Sequence, residues 1–407
     1  MSRVWRTWLA LVLFALGTSL ITPLIPIYQD RLGFSDTVVT LFLGCYVLAL
    51  IPSMLSLGQL SDQVGRKRVL LAALALLAVA QAYLSTAPPL GGLLAARALQ
   101  GAATGAFFGT CTAFLIDAAP PGRRTFVAVL GSVSIRLGLG LGPGLGGVMA
   151  QYAGDPLRRP FQLHLLALAA AIGIVLGLPE TVPHRIRRPL RLRLEVPAAE
   201  RAVFWRELVP SGMLFSLYDG VALALVPVFE VRTLGVRNYA LVGASGFLVL
   251  VAGALSQLAL PRLRPQAAIG AGLLAAAVAS AGVVAGAPLR STALVLGAVA
   301  ATGAACGLVF KGGVDLCAQI APAHERGKLI SAYYVACYLG GFSVPLLVVG
   351  ALSDLVGLTA ALAALSATGA LAAVWVGLVG LRSLAGLGAG AAPGPTAVAA
   401  GRAAEGG

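Results

Sequence analysis

The chain has 407 residues, of which 58% are hydrophobic and only 11% charged, with a formal net charge of +14. A water-soluble domain carries roughly a quarter charged residues, so this composition excludes an ordinary soluble enzyme, and a mean hydropathy of +0.91 fits a chain solvated by lipid. A basic balance can mark a nucleic-acid binder. Here, however, the basic residues fall in short segments between apolar runs, where they set orientation against a bilayer, and no nucleic-acid partner is expected.

A helix needs about 20 mainly apolar residues to cross a bilayer. In chain order such runs lie at 8–28, 38–60, 69–87, 91–116, 126–150, 161–178, 208–229, 239–260, 267–287, 291–319, 330–351 and 357–381. They predict an all-α membrane protein with twelve transmembrane helices. The first run is not followed by a small-residue cleavage site and a soluble domain, so it is read as a retained helix. Twelve spans put both termini on one side. That side carries Arg3, Arg6, Arg66, Lys67, Arg68, Arg123, Arg124, Arg262, Arg264, Arg326 and Lys328, together with the Arg-rich break after the sixth run. The other side holds only Arg31, Arg158, Arg159, Arg232, Arg237 and Arg290. The positive-inside rule then places both termini in the cytoplasm, in an inner or plasma membrane.

The longest break, 179–207, is Pro- and Arg-rich and reads as a cytoplasmic linker between two six-helix halves, 1–178 and 208–381. Within it VFWREL is expected to form a short interfacial helix, and RIRRPLRLR to mark topology. Residues 382–407 are Gly/Ala/Pro-rich and read as a disordered cytoplasmic tail. The halves repeat one another. At an offset of 202, Gly101, Gly105, Pro120, Arg124, Gly138 and Pro143 fall on Gly303, Gly307, Pro322, Arg326, Gly340 and Pro345. Like-oriented repeats of this kind are a secondary-transporter arrangement.

Between the second and third runs stands GQLSDQVGRKR, 58–68. Its Gly58, Leu60, Ser61, Asp62, Gly65, Arg66 and Lys67 resemble the signature of the major facilitator superfamily. The resemblance implies a twelve-helix fold in two pseudo-symmetric halves and a cytoplasmic gate built from this loop. Gly58 would allow close helix approach and Gly65 a tight turn, while Asp62 would pair with a base or a helix N-terminus. Asp117, at the inner end of the fourth run and near Arg123 and Arg124, joins Asp62, Arg66, Lys67 and Arg124 as a gate candidate. The counterpart expected in the second half, Gly253 to Arg264, has Gln257 where the first half has an acid, so the gating contacts should be asymmetric.

Arg97-Ala-Leu-Gln100-Gly101 resembles a fourth-helix pattern of the same superfamily, which implies a part for Arg97 in proton coupling. An arginine near the end of a span can also simply snorkel to the interface, and both readings stand. Gln100 is a cavity or helix-interface candidate. Gly138, Gly142, Pro143, Gly146 and Gly147 resemble the superfamily's antiporter motif. Small residues there allow tight helix packing and Pro143 a bend.

Ionisable residues at membrane depth usually face a cavity or a partner. Arg136, Asp219, Lys311 and Asp315 fall there. Lys311 and Asp315 have the spacing of a local pair. Asp219, Asp315 and, at the outer end of the first run, Asp30 are proton-coupling candidates. Arg136 and Lys311 are cavity candidates, and His164 is read as a helix-interface residue. Cys45, Cys111, Cys306, Cys317 and Cys337 read as buried thiols. No metal spacing, cofactor motif, phosphate loop or nucleophile elbow occurs, and no enzyme is expected. The reading is a monomeric, proton-coupled exporter of small amphipathic compounds, with substrate, protons and lipid as its partners. Transport of a sugar, amino acid or other metabolite, and a non-transporting receptor or scaffold, stay open.

Overall fold

The computed structural model describes residues 3–120, 122–182, 196–259, 263–322 and 325–390. Among them twelve helices are long and apolar enough to cross a membrane. They are α1 Arg3–Leu32, α2 Asp36–Val64, α3 Arg66–Leu84, α4 Leu90–Asp117, α5 Arg124–Tyr152, α6 Arg159–Leu176, α7 Arg201–Arg232, α8 Tyr239–Ala259, α9 Pro265–Leu289, α10 Thr292–Ile320, α11 Arg326–Val356 and α12 Leu358–Gly390. Each predicted run coincides with one of these helices, with ends shifted by a few residues. The third was expected to reach residue 87 but stops at Leu84. Pro88 and Pro89 stand four and five residues on, and Pro88 has no N–H to give the Leu84 carbonyl and disfavours a helical residue before it.

Three spans are interrupted where proline removes a backbone donor. α1 breaks after Thr18 and resumes through a short 3-10 turn at Thr22–Leu24, with Pro23 and Pro26 beside it. α7 breaks at Leu225 before Pro227, and α11 at Ser343 before Pro345. VFWREL does not form a separate interfacial helix. It is the first part of α7, wound as a π-helical turn over Phe204–Leu208. The helix at the end of the chain continues to Gly390 rather than giving way to a tail at 382. RIRRPLRLR, Arg262 and residues 391–407 lie outside the described residues.

The helices form two bundles, and the glycines that repeat in sequence also repeat in packing. Gly101 and Gly105 of α4 lie against the α2 backbone at Tyr46 and Leu50. Gly303 and Gly307 of α10 lie in the same way against the α8 backbone at Val249 and Gly253. A Cβ at any of the four would overlap a main-chain carbonyl oxygen, so small residues are what let these helices touch. Gly138 of α5 meets Ala15 of α1, and its repeat Gly340 of α11 meets Met213 of α7.

Between the bundles, α5 packs on α8 and α2 on α11. The hydrophobic core shows where that packing is tight. On the side of the chain termini, one cluster, including Leu11, Phe14, Leu70, Phe107 and Phe114, stays within the first bundle. Toward the opposite side, a single cluster runs from Leu24, Tyr28 and Phe42 of the first bundle into Phe215, Tyr218 and Leu346 of the second. The bundles therefore share most of their joint core toward that side, and a small third cluster of Val47, Leu50 and Ile51 of α2 with Val335 of α11 joins them nearer mid-depth.

Candidate functional site

A cavity of about 850 Å³ lies where the shared core ends. α1, α2, α4 and α5 line it from one bundle, and α7, α8, α10 and α11 from the other. Its lining reaches Gly58, Gln59, Ile116, Gln257 and Gly327, at the terminus-side ends of their helices. The cavity is therefore built toward the terminus side and closed toward the opposite one.

Arg136 of α5 and Asp219 of α7 meet in the cavity wall, Nη2 to Oδ2 at 3.3 Å, and so join the two bundles through an ion pair. Asp219 is 3% exposed, and its Oδ1, like Arg136 Nη1, is buried without a hydrogen-bond partner. The Arg136 guanidinium also stands 5.4 Å from the Phe310 ring centroid. Buried pairs of this kind hold only while both partners stay charged: removing one leaves the other stranded at a cost of about 3–5 kcal/mol.

Arg97 does not snorkel. It is buried and lines the cavity. Its Nη1 donates to the Thr18 carbonyl and to Gln100 Oε1, both at 2.7 Å, and its Nε donates to the Phe42 carbonyl at 3.2 Å. Its guanidinium carbon lies 4.6 Å from the Tyr46 ring centroid. Gln100 is buried behind it and is not part of the lining. Lys311 and Asp315 pair with each other on α10 and also stay out of the cavity wall. Asp30 is remote from it, at the opposite-side end of α1, 3.7 Å from Arg232.

At the terminus side the gate candidates gather, but within one bundle. Arg66 pairs with Asp62 at 3.2 Å and with Asp117. Lys67 Nζ donates to the Leu176 carbonyl at 2.6 Å. Glu180, which sequence reasoning passed over, accepts the Arg66 and Lys67 backbone N–H groups at 3.1 and 3.2 Å and so caps the N-terminus of α3. Gly65 makes the expected turn at φ +105°. Arg124 is exposed and outside this cluster. Gly58 meets no neighbouring helix, since a Cβ there would have nothing within 4 Å. The close approach expected of it is missing because the cavity mouth occupies that space.

The opposite end carries a second network, and this one crosses between bundles. Asp354 of α11 accepts the Asp36 and Thr37 N–H groups, the first turn of α2, at 2.8 and 3.0 Å, and the Thr37 hydroxyl at 2.5 Å. Ser353 donates to Asp36 Oδ2 at 2.6 Å, and Gln29 donates to Asp36 Oδ1 at 2.7 Å. Arg232 of α7 lies 3.5 Å from Asp36. The sequence signal for this network was available. Residues 350–357 read GALSDLVG, matching GQLSDQVG of 58–65 at six positions in the same order. Gly357 ends its helix at φ +89° with its N–H on the Ser353 carbonyl, as Gly65 does on Ser61. The segment expected to echo the motif, 253–264, behaves differently: Gln257 donates to Gly253 of its own helix at 2.9 Å.

The antiporter-type glycines form the seam of α5. Gly142 and Gly146 abut the α1 backbone at Leu16 and Leu20, and Gly147 abuts Tyr239 and Gly243 of α8. Pro143 packs on Gly243 and Gly246 of α8. His164 sits in the α6–α1 interface, 2.9 Å from the Leu13 carbonyl.

The family model described as "Major Facilitator Superfamily" matches residues 7–345. The quinolone resistance protein NorA of Staphylococcus aureus (strain MRSA252) is 25% identical over 173 residues, which is 42% of this chain and 42% of that protein. The putative multidrug resistance protein MdtD of Escherichia coli O6:K15:H31 is 27% identical over 157 residues, 37% of this chain and 33% of its own length. The match therefore spans less than half the length of these curated relatives. Among solved structures, a POT family transporter in complex with 5-aminolevulinic acid superposes with a TM-score of 0.76 at 12% identity, covering 93% of this chain and 96% of that one. The human organic anion transporter MFSD10 superposes at 0.64 with 21% identity, covering 92% and 98%. These two similarities speak to fold.

Proposed function

We propose that this chain, which belongs to the Major Facilitator Superfamily, is a secondary transporter of small molecules that exports amphipathic compounds in exchange for protons. The observation that carries this reading is the Arg136–Asp219 pair, which links the two bundles across the cavity wall. Protonation of Asp219 cancels the carboxylate charge and releases Arg136. An inter-bundle tie is thereby removed, and the bundles are free to rock. Asp219 is preferred to Asp30 and Asp315 as the coupling group because it alone of the three lines the cavity.

In this mechanism the terminus side is cytoplasmic. Substrate enters there, between Gly58 and Gly327, while the Asp354 network keeps the outer mouth shut. After the bundles rock, Asp62, Arg66 and Asp117 guard the inner mouth. The seam of Gly142, Pro143, Gly146 and Gly147 lets α5 turn against α1 and α8. The unit is a monomer, since both bundles and the cavity belong to one chain. The relatives named for quinolone and multidrug resistance support export of such compounds.

The test is transport by the full chain in proteoliposomes, using a panel of fluorescent amphipathic compounds that includes quinolones. An imposed proton gradient should drive movement, and Asp219→Asn should abolish the dependence on the gradient. Movement that continues unchanged after the gradient is collapsed with a protonophore would overturn proton coupling. Failure of every amphipathic probe alongside movement of a sugar or amino acid would favour the metabolite reading.

A further inference from the structure

We propose that the compound held in the cavity is an organic anion and that Arg97 receives its acid group. This rests on the transporter reading above and narrows its substrate class.

The argument starts from charge. Two arginines line the cavity at membrane depth, Arg97 and Arg136, and Asp219 is the one carboxylate among the described lining residues. Asp219 is committed to Arg136 at 3.3 Å. Arg97 is left among neutral groups: two carbonyls, the Gln100 amide oxygen and the face of Tyr46. A charged side chain inside a bilayer is costly and is normally paired. Neutral oxygens orient the guanidinium and offset part of its desolvation, but they do not cancel its charge.

Geometry points the same way. Arginine has five N–H donors in a planar fork. The bonds to protein use Nε and Nη1, so Nη2 has no protein acceptor among the described residues. A carboxylate or sulfonate oxygen in the cavity would take that position in a charge-assisted bond, the stronger class of hydrogen bond. Gln100 and the Thr18 carbonyl hold the fork so that little side-chain entropy is lost on binding. Tyr46 lies against it, and elsewhere the cavity wall carries Phe108, Phe215, Phe310, Tyr334 and Tyr338. The fitting ligand therefore has an aromatic or aliphatic body and a single acid group.

The experiment uses the full chain in lipid nanodiscs and three matched probes: 2-naphthoate, its neutral amide, and 2-naphthylmethylammonium. Their affinities are compared by isothermal titration. Naphthoate should bind about tenfold or more tighter than the amide, as a charged hydrogen bond implies, and the ammonium probe should bind weakest. Arg97→Gln should bring the naphthoate-to-amide ratio close to one, and Arg97→Lys should keep part of it. Asp219→Asn should act in the opposite direction, raising naphthoate affinity by freeing Arg136. A wild-type protein that binds amide or ammonium as well as naphthoate would overturn the proposal, and so would an unchanged ratio in Arg97→Gln. Where Arg97→Gln fails to fold, the wild-type ratio decides the charge class and Arg97→Lys decides the residue: a ratio in Arg97→Lys equal to wild type would overturn the assignment to Arg97. Binding needs no gradient. Gradient-independent transport with the naphthoate preference intact would remove proton coupling and leave the anion site standing. Gradient-driven transport of the ammonium probe in preference to naphthoate would do the reverse.

Discussion

Replacing Asp354 with Asn should shift the protein toward the conformer whose opposite-side mouth is open. The Asp354 carboxylate accepts two backbone N–H groups at the start of α2 and the Thr37 hydroxyl, so it binds α11 to the positive end of an α2 helix 29 residues long. Asn keeps the shape and one oxygen acceptor but loses the charge and the second acceptor. A carboxylate at a helix N-terminus contributes about 0.3–1 kcal/mol when exposed and up to about 2 kcal/mol when partly buried. Asp354 is exposed while Asp36 beside it is buried, which puts the loss at about 1 kcal/mol and the change in the ratio of the two conformers at about fivefold. Distances between spin labels, one on each bundle at the opposite-side ends of α2 and α11, would measure it in nanodiscs at neutral pH. The long-distance population should grow about fivefold relative to wild type, and Asp354→Glu, which keeps the carboxylate, should stay much closer to wild type. An unchanged distance distribution in a correctly folded Asp354→Asn protein would refute the idea that this contact biases the conformers.

The matching glycines at the two mouths should respond in opposite ways. Gly350→Leu should disfavour the present conformer, because a Cβ there comes within 2.9 Å of the Asp36 carbonyl oxygen; Gly58→Leu should be tolerated in it and should instead block closure of the terminus-side mouth, read from labels on α2 and α11 at that side. Asp62→Asn should slow transport far more than Gln257→Glu, because Asp62 is tied to Arg66 and its network whereas Gln257 bonds only within α8 among the bonds described for its amide; initial rates in proteoliposomes would separate them. Asp315→Asn should leave the pH profile of transport in place and cost at most about 0.5 kcal/mol of stability, the usual worth of a helical i,i+4 pair, whereas Asp219→Asn should flatten that profile.

What could be read from the sequence was whatever depends on the chain's own period and punctuation. Twelve apolar runs became twelve helices because a backbone in lipid must satisfy its own donors. The offset of the glycines at 101, 105 and 138 foretold equivalent helix contacts, because only a missing side chain lets two backbones meet. Contacts between bundles were less legible. Nothing near Arg136 in the sequence names Asp219 as its partner, since the two lie 83 positions apart. Lys311 and Asp315 announced themselves by spacing, but spacing finds only neighbours on one helix and says nothing about which way that helix faces.

The opposite-side network was missed for a more instructive reason. The second half is expected to echo the motif in its own equivalent loop, which points to Gly253 and Gln257. The true echo of GQLSDQVG, GALSDLVG at 350–357, lies at the end of α11, on the other face of the membrane from the first copy. That position follows from what each mouth needs. α2 and α11 touch across the bundles at the closed end, and α2 finishes at one face while α11 finishes at the other. A carboxylate set one turn before a helix-ending glycine can reach the start of the facing helix only at the face where its own helix ends. Asp354 does this now to α2. Asp62 stands at the corresponding place at the other mouth, beside a Gly58 with open space around it, and its bonds among the described residues are to its own bundle. The same carboxylate position crosses between bundles at the closed mouth and, in its described bonds, stays within one bundle at the open mouth, which is the asymmetry an alternating cavity requires.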